Sequence, residues 1–148
     1  MMTTPDGTTR LIALVVDDEA MLAEETAIGL EMAGIEAITA ASAAEAMALL
    51  GLHVEIGVLI TDIRMPRESG IALARAAMAQ RTAANAIRVI LMTGRESDVE
   101  PVDIHGWVLK PFRIERLVAM VHDAMRAVAG IRASAGGGGS VTAEPPAP

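Results

Sequence analysis

The chain has 148 residues, 52% hydrophobic and 21% charged, which suits one globular domain with a sizeable core. Its net charge of −7 supplies no basic stripe, so we expect no direct binding of nucleic acid. There is no cysteine for disulfides or thiolate chemistry, and no apolar run long enough for a membrane span, so we expect a cytoplasmic protein without membrane insertion.

Composition divides the chain into three parts. Residues 1–9 are polar and predict a flexible leader. Residues 10–130 alternate between apolar runs and helical patterns and predict one folded domain. Residues 131–148 are rich in Ala, Gly, Ser and Pro, which is typical of a disordered tail.

Five short apolar runs in the predicted domain indicate buried strands. They cover residues 11–16, 35–39, 56–62, 88–92 and 107–110. Helical patterns lie between or after them, at residues 20–33, 43–50 and 70–80 and from residue 113 onward. Because a parallel strand pair needs a crossover, this alternation predicts a parallel α/β sheet with helices on both faces.

The segment between the fourth and fifth strands departs from that pattern. Residues 95–103 are polar and include Pro101, which has no amide hydrogen and interrupts a helix. We therefore predict that the fourth crossover helix is shortened or absent.

Polar residues follow four of the five predicted strands. Parallel strands bring their carboxyl ends to one edge of the sheet, which is where open α/β sheets place their sites. We therefore expect a cluster of five groups at this edge: Asp17, Asp18, Asp62, Thr93 and Lys110.

The chemistry of this cluster favours phosphoryl transfer. Three carboxylates repel one another unless a cation lies between them, and carboxylate oxygens suit Mg²⁺. Lys110 and Thr93 can each hydrogen-bond an oxygen of a transferred phosphoryl group. An ionised carboxylate beside a metal and such donors can act as the nucleophile, so we predict Asp62 as the acceptor.

Each residue taken singly has a simpler interpretation. Asp17 and Asp18 could begin a helix, where carboxylates complement the helix dipole. Asp62 could stand in an Asx turn, Thr93 could belong to an ordinary turn, and Lys110 could be a solvated strand end. The ordered set at one sheet edge favours the phosphoryl site over these alternatives.

Four features follow one another along the chain: Val-Val-Asp-Asp-Glu at 15–19, Asp62 followed by Met65-Pro66 and Gly70, Thr93, and Lys110-Pro111-Phe112. In this order they resemble the receiver domain of two-component response regulators, either stand-alone or attached to a hybrid histidine kinase. The resemblance covers residues 10–130 and implies a flavodoxin-like fold with five parallel strands in the order 2-1-3-4-5.

The resemblance also implies the acceptor and metal roles. Asp62 would take a phosphoryl group from a histidine kinase or histidine phosphotransfer protein. Asp18 would bind Mg²⁺ directly and Asp17 mainly through water. Asp62 itself and the backbone carbonyl of Arg64 would complete the protein ligands.

Further roles follow from the resemblance. Lys110 would pair with a phosphoryl oxygen, and its peptide bond to Pro111 would be cis. Thr93 would be the switch hydroxyl and Trp107 the switch aromatic, although a lone Trp can equally be a core or partner contact. Arg64 and Arg95 stand at positions that tune the phosphoryl lifetime. Neither can act as a base for water, so slow self-dephosphorylation is expected.

Two classes of function remain after these observations. The first is a phosphorelay signalling protein, not an enzyme, whose output passes through an unidentified protein partner. The second is a Mg²⁺-dependent phosphohydrolase that works through an aspartyl-phosphate, although the chain has no insertion large enough to form a cap. A receiver that binds partners without phosphorylation is a weaker third possibility.

Overall fold

The structure is a computed structural model that describes residues 10–100 and 102–136. Its centre is one sheet of five strands: β1 (Ile12–Val16), β2 (Ala37–Ala40), β3 (Ile56–Asp62), β4 (Arg88–Thr93) and β5 (Gly106–Leu109). The strands lie in the order β2-β1-β3-β4-β5, and each neighbouring pair is parallel. The predicted flavodoxin-like fold and its strand order are confirmed.

Four α-helices cover the two faces of the sheet: α1 (Ala20–Met32), α2 (Ala43–Leu52), α3 (Gly70–Gln80) and α4 (Ile114–Gly136). Leu14 and Val16 of β1 pack in the core cluster that holds α2 and α3. Ala13 and Val15 point to the opposite face and pack with α1 and α4. Among the described residues, no helix has both the length and the apolar character to cross a bilayer.

In the described part of the connection from β4 to β5, no α-helix forms. A single 3-10 turn, Glu96–Asp98, is its only helical element among the described residues. The predicted shortening of the fourth helix is therefore confirmed. Pro101, on which part of that prediction rested, lies outside the described residues.

The last helix is longer than the sequence analysis predicted. α4 continues to Gly136, so the expected domain boundary at residue 130 is too early. Arg132 explains the difference, because it is buried and donates to the Ala86 carbonyl at 2.9 and 3.0 Å and to the Ile56 carbonyl at 3.1 Å. The predicted leader at 1–9 and residues 137–148 of the predicted tail lie outside the described residues.

A second arginine binds backbone carbonyls at the amino-terminal edge of the sheet, which Arg132 also contacts. Arg81 follows α3, and its guanidinium donates to four backbone carbonyls at 2.8 to 3.1 Å; these belong to Leu50, His53, Ile56 and Asn85. Burial and the nearby charge of Arg132 lower the pKa of Arg81 to about 10. The arginine thus ties the end of α2, the start of β3 and the Ala83–Asn85 turn together.

A close backbone approach fixes the turn from β3 to α3. The Gly70 N–H donates to the Ile63 carbonyl at 2.7 Å. A Cβ built on Gly70 would lie 1.9 Å from the Asp62 carbonyl oxygen, far inside van der Waals contact. Only glycine therefore allows α3 to begin this close to the end of β3, and the approach determines where Asp62 stands.

Candidate phosphoacceptor site

Three carboxylates meet at the carboxyl edge of the sheet. β1 and β3 are neighbours, with Val16 paired to Thr61, so the residues that follow these positions come together. One oxygen from each of Asp17, Asp18 and Asp62 lies within 4.8 Å of the other two. Asp17 is buried, whereas Asp18 is exposed, so the cluster opens to solvent on one side.

Lys110 joins two of these carboxylates. Its Nζ lies 3.1 Å from Oδ2 of Asp17 and 3.3 Å from Oδ2 of Asp62. The position of the lysine follows from β5, which pairs with β4 and ends at this edge, and the Lys110 N–H donates to the Thr93 carbonyl at 2.6 Å. The peptide bond between Lys110 and Pro111 is cis.

The cluster contains three carboxylates and only one ammonium, so negative charge is in excess. Burial raises the pKa of Asp62; the positive charge of Lys110 opposes this rise, and the charges of Asp17 and Asp18 add to it. Burial alone would lower the pKa of Lys110, but its hydrogen bond to Asp17 and the charge of Asp62 outweigh burial and raise it. The lysine is thus held as an ammonium, and Asp62 carries an unfavourable charge that a cation could relieve.

The donor set fits a divalent cation of the Mg²⁺ type. All three side chains offer carboxylate oxygens, which are the ligands Mg²⁺ prefers, and the exposed side of the cluster leaves room for water ligands. A cation there would offset the repulsion that the single ammonium leaves in place. The part that the Arg64 backbone carbonyl plays in binding stays a prediction.

The two residues expected to act as the switch lie in different surroundings. Thr93 is buried, and its hydroxyl donates to the Arg95 carbonyl at 3.0 Å and accepts from the Arg95 N–H at 3.1 Å. Trp107 is half-buried and packs against the core cluster of α2 and α3. In this structure the Thr93 hydroxyl is therefore engaged with its own loop, and both switch roles stay predictions.

The side chain of Arg64 has a partner that the sequence analysis missed. Its Nε and Nη2 donate to the two carboxylate oxygens of Asp98 at 2.8 and 3.1 Å. The two residues are 34 positions apart, so no local spacing in the sequence could have indicated the pair. The ion pair therefore involves the loop that follows Asp62.

An apolar groove runs from the acid cluster along α1. It has a volume of about 710 Å³, and Asp17 and Lys110 lie at its polar end. Ile28 and Met32 of α1 line it and are exposed, at 57% and 85%. Phe112 forms part of the opposite wall. Exposed aliphatic side chains beside a polar site are typical of a surface that meets another protein.

The parallel α/β sheet with its acid cluster and lysine defines a class of proteins whose site lies at the carboxyl ends of the strands. A comparison with protein families makes the class specific. The model of the response regulator receiver domain matches residues 13–122, and the chain belongs to that family. Its fold is that of a phosphoacceptor signalling domain, which bears out the resemblance seen in the sequence.

Relatives of known function share only part of their length with this chain. The transcriptional regulatory protein PhoP of Escherichia coli (strain K12) is 30% identical over 123 residues, which cover 80% of this chain and 53% of PhoP. The virulence transcriptional regulatory protein PhoP of Salmonella typhi matches over the same extent with the same identity. The chain thus spans about half the length of these curated relatives.

Solved structures of receiver proteins superpose on the described fold. A response regulator receiver protein from Pseudomonas putida is 34% identical and has a TM-score of 0.69, covering 77% of this chain and 97% of that protein. The response regulator TrrA from Thermotoga maritima, solved in complex with Mg(2+)-BeF, is 26% identical, also with a TM-score of 0.69, covering 77% of this chain and 98% of TrrA.

Proposed function

We propose that this chain carries signals in a phosphorelay by accepting a phosphoryl group on Asp62 from a histidine kinase or histidine phosphotransfer protein. The observation that carries the proposal is the position of Asp62, with two carboxylates within 4.8 Å and Lys110 Nζ 3.3 Å from its Oδ2. Membership of the receiver family supports it.

The transfer step follows from these groups. A carboxylate oxygen of Asp62 attacks the phosphorus of a phosphohistidine in line, forming a P–O bond as the P–N bond breaks. The electron pair of that bond stays on the imidazole nitrogen, which then takes up a proton. Lys110 turns its ammonium toward a non-bridging phosphoryl oxygen and steadies the charge there.

Mg²⁺ is the cofactor that we infer for this step. Asp17, Asp18 and Asp62, with the backbone carbonyl of Arg64, would hold it. When bound, the ion supplies positive charge that offsets the charge of the phosphoryl group and of the carboxylates around it.

The signal would leave the site through the residues beyond β4. We infer that Thr93 exchanges its hydrogen bonds with Arg95 for one to the phosphoryl group, and that Trp107 adjusts its packing in response. The output partner is a protein that reads this change at the surface.

The surroundings of the site favour a protein donor over a small substrate. A phosphohydrolase for small molecules needs a pocket that encloses its substrate. The cavity beside Asp17 and Lys110 is instead an apolar groove lined by Ile28, Met32 and Phe112. This arrangement supports the signalling proposal over the phosphohydrolase alternative.

Phosphorylation by a small donor tests the acceptor directly. Incubation with phosphoramidate and Mg²⁺ is expected to add one phosphoryl group, measured by intact mass. Asp62→Asn should abolish the gain because an amide is not a nucleophile of this kind, and chelation of Mg²⁺ should slow the reaction strongly. A wild-type chain that gains no mass, or an Asp62→Asn chain that still gains it, contradicts the proposal.

The apolar groove predicts a second, partner-specific effect. The test uses a phosphorylated histidine kinase that transfers its phosphoryl group to the wild-type chain. Ile28→Glu is expected to lower the rate of this transfer about tenfold, because a side chain buried at the centre of an interface contributes upwards of 1 kcal/mol to binding. Its rate with phosphoramidate should not change. The matched control is Leu52→Glu, which places the same charge at an exposed leucine on α2. Equal slowing by both substitutions would rule out a donor surface on α1.

A further inference from the structure

The ion pair between Arg64 and Asp98 joins the acceptor loop to the turn that stands in place of a fourth helix. Arg64 lies two residues after Asp62, and Asp98 ends the 3-10 turn Glu96–Asp98. The contact is bidentate, which fixes its geometry more tightly than a single hydrogen bond would. Within residues 10–100 and 102–136, Arg64 is the only side chain that pairs with the Asp98 carboxylate.

The two partners differ in how freely they can move. The Arg64 side chain is 66% exposed, whereas that of Asp98 is only 13% exposed. The arginine can therefore swing toward another anion without repacking, but the carboxylate cannot become fully hydrated unless the turn moves. Because a pair at this exposure is only weakly stabilising, a stronger anion close to Arg64 can compete with Asp98.

A second contact holds the other end of the same turn. The Thr93 hydroxyl accepts from the Arg95 N–H, and the Arg95 carbonyl in turn accepts from the Asp98 N–H at 3.0 Å. The turn is thus tied to the site at its start through Thr93 and at its end through Arg64. Both contacts are thus made by residues that lie next to Asp62.

We propose that Asp98 is a built-in competitor for Arg64, and that a phosphoryl group on Asp62 draws the guanidinium away from Asp98 and releases the turn Glu96–Asp98. The proposal rests on the phosphoacceptor function proposed above. A phosphoryl group carries more negative charge than a carboxylate and offers several oxygens to a planar guanidinium. Arg64 then pairs with the phosphoryl oxygens, and Asp98 is left as a largely buried carboxylate without its partner.

Release of the turn gives the phosphorylated state a distinct surface. A buried carboxylate that has lost its partner gains by moving into water, so residues 95–100 open. Arg64 meanwhile covers the phosphoryl group and offers no base to water, which is consistent with the slow self-dephosphorylation expected from the sequence. One arginine therefore links the lifetime of the signal to its output.

Amide hydrogen exchange across residues 95–100 tests the proposal. The wild-type chain is compared before and after reaction with phosphoramidate and Mg²⁺, and intact mass is measured on the same samples. We expect exchange in this segment to become several-fold faster on phosphorylation. Asp98→Asn keeps the shape but removes the charge that drives the opening, so its exchange rate should change little on phosphorylation.

Two further variants complete the experiment. Glu100→Gln is the matched control, because Glu100 lies in the same segment but pairs with Arg75 at 3.8 Å, and it should keep the wild-type response. Arg64→Gln should exchange fast in both states and shorten the phosphoryl half-life several-fold. The Arg64→Gln response keeps the test decisive if Asp98→Asn does not fold.

The outcomes separate this proposal from the function on which it rests. A wild-type chain that gains a phosphoryl group while residues 95–100 exchange at the same rate or more slowly overturns the competition but leaves the acceptor function intact. A full wild-type response in Asp98→Asn also overturns it. If the chain gains no mass, both proposals fail.

Discussion

Replacing Gly70 with alanine is expected to lower the free energy of unfolding by about 3 kcal/mol and to reduce phosphorylation of Asp62 severely. The added Cβ would lie 1.9 Å from the Asp62 carbonyl oxygen and 2.8 Å from its carbonyl carbon. Both are backbone atoms, so no side-chain rotation can relieve the clash, and α3 or the end of β3 must shift. The shift would break the hydrogen bond from Gly70 to Ile63 and displace the acceptor.

Chemical denaturation and intact mass after phosphoramidate treatment measure the two effects. Gly130→Ala is the matched control, because a Cβ at that exposed position on α4 would meet nothing within 4 Å. Removing a helical glycine should stabilise the chain by about 0.5–1 kcal/mol. If Gly70→Ala were as stable as the wild type, α3 would not begin this close to the end of β3.

Arg81→Ala is expected to destabilise the fold by about 2–3 kcal/mol, because it removes the donor shared by four backbone carbonyls. The Ile56 carbonyl keeps its bond from Arg132, but Leu50, His53 and Asn85 lose a donor at a partly buried edge. The stability of Arg81→Lys should lie between that of the wild type and that of Arg81→Ala, since an ammonium has only three donors. Urea denaturation at neutral pH measures the loss.

The functional consequence of Arg81→Ala should be small. The arginine lies at the amino-terminal edge of the sheet, opposite Asp62, so the rate of phosphorylation by phosphoramidate should stay near that of the wild type under conditions where the variant is folded. The control is Arg116→Ala, an exposed arginine on α4, with an expected change within about 0.5 kcal/mol. Equal losses from both substitutions would show that the carbonyl contacts of Arg81 contribute nothing particular.

The parallel sheet and the placement of the site followed from the sequence for physical reasons, whereas the strand order came from the resemblance to receiver domains. Strands buried on both faces appear as continuous apolar runs, such as residues 12–16, and parallel strands must end at a common edge. Once Asp17, Asp62 and Lys110 had been placed at strand ends, their proximity was a consequence of topology. This part of the prediction therefore depended only on patterns formed by consecutive residues.

The features that were missed depend on contacts between distant segments. The extension of α4 to Gly136 relies on Arg132, a charged residue in an Ala- and Gly-rich stretch that composition marks as exposed. The pair of Arg64 with Asp98 joins segments 34 residues apart and leaves no periodic trace. Burial of a guanidinium against carbonyl groups is a tertiary property, and hydrophobic patterning does not encode it.

The length of α4 has a practical consequence for experiments on this chain. The helix begins beside Lys110 and runs for 23 residues, about 35 Å, toward the edge of the sheet where Arg132 anchors it. A fluorophore or affinity handle attached at Gly136 would thus sit a full domain width from Asp62. Single-molecule or surface-immobilised measurements could use this position and leave the groove along α1 open to a donor.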